Sequence, residues 1–126
     1  MDPNKNNKKI AVEFLTSVVA GRIDEAYEKY ADKNCKHHNA FFPAGLENLK
    51  NAMKENEKEF PNKKLIVKNV LGDDDLVAVH SHLILKPHEM EMTVVHLFRI
   101  KNAKIVEMWD CGQAIPKNCP NEDGVF

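Results

Sequence analysis

Apolar side chains recur at helical spacing through the first half of the chain and give way to strand-forming runs in the second. From Lys8 to Ala20, the residues Ile10, Phe14, Leu15, Val18 and Val19 fall on one face of a helix, and Gly21 supplies a residue able to close it. A second, shorter helix is predicted from about Asp24, whose carboxylate suits a helix N-terminus, with Ile23, Tyr27 and Tyr30 on one face. After the polar stretch Asn34 to Asn39 and the turn signal Pro43-Ala44-Gly45, a third helix carries Leu46, Leu49, Met53 and Phe60 and stops at Pro61.

From Lys63 onward the pattern changes. Leu65-Ile66-Val67 and Val70-Leu71 are rich in strand formers and run into the turn cluster Gly72-Asp73-Asp74-Asp75. Leu76 to Leu85 and Met90 to Ile100 read as two further strands separated by Pro87, and the polar turn Lys101 to Lys104 leads into a fourth, Ile105 to Cys111. Turns this short join antiparallel strands, so the expected fold is α+β, with three N-terminal helical segments packed on one face of an antiparallel sheet. One domain spans 1–126, with 1–7 and 117–126 expected to be irregular.

Composition removes several classes of function. Eighteen Lys and Arg against 19 Asp and Glu leave a net charge of -1, without the basic excess that binding nucleic acid requires. No apolar run approaches the roughly 20 residues that span a bilayer, and Met1 to Lys9 lacks the apolar core of a signal peptide, so the expectation is a soluble, cytoplasmic protein with no membrane partner. Cys35, Cys111 and Cys119 show no Cys-x-x-Cys spacing and read as reduced thiols. No Ser-His-Asp set, phosphate-binding glycine loop or nucleotide fingerprint is present.

The candidate chemistry lies on the strands. His80 and His82 share a face of one strand, His96 shares a face with Val94 and Phe98 on the next, and Asp110 shares a face with Val106 and Met108 on the last. If these stripes line the concave side of the sheet, His80, His82, His96 and Asp110 converge on an apolar cavity. A carboxylate enclosed among apolar side chains holds its proton more tightly, which suits a general base. The alternative for Asp110 is an ordinary strand-end carboxylate in solvent. The strand histidines could instead be half-buried amphipathic residues, or His80, His82 and His96 could share a metal ion.

Three stretches, in this order, carry a family resemblance: Cys35-Lys36-His37-His38-Asn39 with Pro43-Ala44-Gly45-Leu46; Asp75-Leu76-Val77-Ala78-Val79-His80; and Phe98-Arg99-Ile100 with Lys104-Ile105-Val106-Glu107-Met108-Trp109-Asp110 and Gln113. The chain resembles the SnoaL-like polyketide cyclases of the nuclear transport factor 2-like superfamily. That resemblance implies a cone-shaped α+β barrel with a deep pocket, often dimeric through the outer sheet face, and a cofactor-independent intramolecular aldol closure. It makes Asp110 the general acid/base, with His38 or His80 stabilising the enolate or protonating the new alkoxide. His82, His96, Phe98, Met108, Phe14 and Tyr30 are then expected to contact the substrate, a small apolar carbonyl compound, with no metal and no cofactor. His96 stands where the family usually carries an aspartate, and Met108 where many members carry histidine. Trp109 is expected on the outer face. A ligand-binding or dimerisation module without chemistry is the competing reading.

Overall fold

The computed structural model describes residues 3–126. Its elements run α1 (Pro3–Val19), α2 (Ile23–Tyr30), β1 (Ala31–His37), α3 (Leu46–Glu59), β2 (Lys64–Asp73), β3 (Leu76–Lys86), β4 (Met90–Lys101) and β5 (Lys104–Ala114). The first helix therefore begins at Pro3, so the segment expected to be irregular is helical from there on, while Met1 and Asp2 lie outside the described residues. Among the described residues no helix is long and apolar enough to cross a membrane.

The apolar periodicity of α1 buries Ile10, Ala11, Phe14, Leu15 and Val18. The helix ends where Gly21, at φ 90°, donates its N–H to the Val18 carbonyl and Arg22 donates to that of Ser17, a Schellman closure that the left-handed glycine makes possible. The chain then turns directly into α2, whose Ile23, Ala26, Tyr27 and Tyr30 are buried against α1.

Strands β2 to β5 form the expected antiparallel meander. The turn at Asn102 and Ala103, both with positive φ, has the backbone signature of a tight hairpin. A fifth strand, β1, lies where a polar stretch was expected, and it pairs with β5 in parallel, giving the order β1-β5-β4-β3-β2 in a curved sheet that does not close. The long path through α3 and the meander supplies the crossover that a parallel pair requires.

Register fixes which side chains face the helices. Val77 pairs with Phe98, Val79 with His96 and Ser81 with Val94, while Phe98 and His96 pair with Met108 and Asp110. This inner face meets the helices. Phe14 reaches down from α1 and packs edge-on against Tyr27, at 5.1 Å between ring centroids, and Phe98, at 5.8 Å. The outer face carries the alternate residues: Ala78, His80 and His82 of β3, Thr93, Val95 and Leu97 of β4, and Glu107, Trp109 and Cys111 of β5.

Candidate functional site

A cavity of about 110 Å³ lies between the helices and the inner sheet face. Phe14, Leu15 and Val18 of α1, Leu49 and Met53 of α3, and Phe98 and Met108 of the sheet give it a mostly apolar wall. Asp110 is among the few polar residues that line it.

The Asp110 carboxylate is exposed rather than enclosed, and it is held in place. The Asn39 side-chain amide donates to both its oxygens, at 3.2 and 3.0 Å. Asn39 is in turn held by two bonds, one of them to a histidine that is itself held. Its own backbone N–H donates to His37 Nδ1 at 3.2 Å, its Oδ1 accepts from the Phe41 N–H at 2.9 Å, and His37 donates from Nε2 to the Pro43 carbonyl at 2.7 Å. The segment just beyond β1 is thus a built support for the carboxylate.

Opposite Asp110 on β4 stands His96. Its ring lies parallel to that of Phe98, 5.9 Å between centroids, and its Nδ1 is enclosed without a hydrogen-bond partner among the described residues. Burial pushes the imidazole pKa down to about 4, against the weaker opposing pull of the Asp110 charge, so the ring is uncharged at neutral pH. Tyr27 borders the same cavity. Burial, followed by the nearby Cys35 and Asp110, holds its phenol well above its ordinary range, so it remains a proton donor. Cys35, a buried residue of β1, is pushed up to about 12, chiefly by burial, and stays a thiol.

Of the residues expected to form the site, Asp110, His96, Phe98, Met108 and Phe14 border the cavity. His80 and His82 do not. They pair with Val95 and Thr93, and this register turns them to the outer face, where His80 bonds Asn69 and Thr93 and His82 bonds Glu91. The three strand histidines therefore cannot share a metal, since His96 points the opposite way; among the described residues no group of His, Cys, Asp and Glu is placed to hold one. His38 is also displaced from its expected role. His37 takes the inward position opposite Met108, so His38 faces out, donating to Glu107 at 2.7 Å and stacking on Trp109 at 5.1 Å between centroids. That bond holds the Glu107 carboxyl below its usual range. Tyr30 packs in the core and donates its hydroxyl to Glu13 at 2.7 Å, away from the cavity lining. Trp109 stacks with His38 and also borders the cavity.

Asn39, Tyr27 and Lys63 are site residues that the sequence reading did not single out as such. Only Asn39 had a signal, as the last residue of the motif that begins at Cys35.

The sequence profile of SnoaL-like polyketide cyclases matches residues 9–116. The chain belongs to that family. No curated protein matches it by sequence. Among solved structures, AclR of Streptomyces galilaeus, a candidate hydroxylase, superposes with a TM-score of 0.75 at 16% identity, covering 87% of this chain and 90% of that one. IdmH of Streptomyces antibioticus, a candidate polyketide cyclase, gives a TM-score of 0.67 at 18% identity over 84% of this chain and 91% of its own. An NTF2-like protein of unknown function from Cytophaga hutchinsonii gives 0.68 at 13% identity, over 85% and 89%. At these identities the likeness is one of fold. Because proteins described so differently share one fold, the chemistry of this chain must be argued from its site.

Proposed function

We propose that this SnoaL-like protein binds a small apolar carbonyl compound in the cavity and acts on it with Asp110 as general acid/base, in a cofactor-independent aldol-type closure or isomerisation. The observation that carries this reading is the carboxylate held from both oxygens by Asn39 at the edge of an apolar cavity, across from an uncharged imidazole. Asp110 would take a proton from the carbon alpha to the ligand carbonyl, and the electron pair would move onto the carbonyl oxygen. Tyr27, kept protonated, and His96, through whichever nitrogen bears its proton, are the donors available to that enolate; they replace His38 and His80 in the role. In an aldol closure the enolate carbon then bonds to a second carbonyl carbon of the same ligand, and the proton on Asp110 passes to the new alkoxide. In an isomerisation the proton returns to a different carbon.

Incubation of the protein with small aliphatic ketones in deuterated water tests this. Exchange at the alpha position that disappears in Asp110→Asn, with the unfolding temperature unchanged, supports the base. Binding without exchange favours the receptor reading, in which the pocket persists without chemistry.

The same reading includes a homodimer through the outer sheet face, where Leu71, Val95, Leu97 and Ile66 are exposed. Sedimentation at micromolar concentration tests it, and a monomer that stays a monomer at higher concentration counts against it.

A further inference from the structure

Away from Asp110 the cavity meets a second polar group that the reaction above leaves unused. Lys63, just ahead of β2, borders the cavity beside Leu65 of β2 and Asn56 of α3, and its side chain is only 4% exposed. A buried ammonium is costly unless paired. Glu57 pairs with it, and the Phe60 carbonyl accepts a longer bond of 3.5 Å. The glycine at the α1–α2 turn makes room for that carboxylate, because a Cβ on Gly21 would stand 2.8 Å from Glu57 Oε1. Two of the three ammonium N–H groups are thus engaged within the protein, and the third has no hydrogen bond among the described residues.

The charge at this end is already balanced. A ligand carboxylate placed there would meet Glu57 as a like charge, whereas a neutral carbonyl oxygen accepts the remaining N–H without that repulsion. The strand order puts Asp110 on β5 and Lys63 just ahead of β2, three strands apart, and the register offsets them along the strands as well. Phe98, Leu83, Leu65 and Met53 line the interval.

We propose that the ligand is a dicarbonyl compound with an apolar middle, and that Lys63, assisted by the Asn56 amide, binds its distal carbonyl oxygen while the other carbonyl lies at Asp110. The proposal rests on the Asp110 reading for which carbonyl reacts; the Lys63 contact itself is a matter of binding.

The test uses three probes of equal chain length: a linear aliphatic diketone with its carbonyls at opposite ends, the monoketone, and the keto acid. Ligand-observed NMR gives their affinities for the wild type and for Lys63→Met. The wild type should bind the diketone about tenfold more tightly than the monoketone, the effect of one hydrogen bond to a charged group, and more tightly than the keto acid. Lys63→Met should reduce the diketone to the affinity of the monoketone. Glu57→Gln, which leaves the ammonium charge unbalanced, should move the preference towards the keto acid. Equal binding of diketone and monoketone by the wild type, no binding of the diketone, or a Lys63→Met variant that weakens both ketones by the same factor would each overturn the proposal. If Lys63→Met does not fold, the wild-type ranking and Glu57→Gln still decide. The same affinities measured in Asp110→Asn separate the two claims: a retained diketone preference without exchange means that Lys63 binds as proposed, whatever the fate of the base.

Discussion

The two faces of one sheet carry the same residue type and treat it in opposite ways. On the outer face His38 bonds Glu107, His82 bonds Glu91, and His80 lies between Asn69 and Thr93, so each ring has partners supplied by the protein. On the inner face His96 keeps an enclosed nitrogen without a partner and loses its basicity to burial. An unsatisfied buried polar atom costs about 1–3 kcal/mol, a penalty that a bound ligand can relieve. The difference comes from register alone, and it leaves Asp110, His96 and Tyr27 among the polar groups that line the cavity.

The largest expected contrast between the faces is in stability. Phe98, fully buried on the inner face, should cost about 3–5 kcal/mol when changed to Ala. Leu97, its neighbour pointing outward and 39% exposed, should cost under about 1 kcal/mol. Urea denaturation measures both, and equal losses would break the face assignment.

Next comes the acid limb of stability. The imidazole of His96 drops from its ordinary 6.5 to about 4 on folding, so the unfolded chain takes up the proton first as pH falls. Stability from this group is complete above pH 6.5 and is lost as pH falls towards 4, by about 3–4 kcal/mol at roughly 1.4 per pH unit. His96→Leu should flatten that slope between the two values; an unchanged slope would mean that the ring is not held neutral by burial.

The smallest effect belongs to the outer clamp. His38→Ala should barely change stability, because its pair with Glu107 is open to solvent. In the variant the Glu107 carboxyl should titrate closer to its ordinary 4.5, read by carbon NMR. The pair stabilises above that ordinary value, and the contribution is lost as pH falls through the lowered one.

Much of this architecture was legible in the chain. The three helices and the β2–β5 meander follow from period and turn residues, and Asp110, His96, Phe98, Met108 and Phe14 were reached as apolar stripes carrying polar groups. β1 was not, since Asp32, Lys33, Asn34 and Lys36 mask its alternation and its parallel partner lies far along the chain. Without β1, nothing shows whether His37 or His38 points inward. His80 and His82 were assigned the wrong side because alternation tells which residues share a face, not which face is buried. Val77 and Val79, fully buried, outweigh Ala78 and carry Ser81 inward in place of the histidines. Lys63 becomes a site residue only once the ends of β2 and α3 meet the cavity.

The most direct test sets the faces against each other in one assay, the rate of solvent deuterium exchange at the alpha carbon of a bound ketone. Asp110→Asn should slow it by about 10²–10⁴-fold, the usual contribution of a general base, while the outer-face double variant His80→Ala with His82→Ala stays close to the wild-type rate. Exchange that survives in Asp110→Asn, or that falls as far in the outer-face variant, would contradict the account.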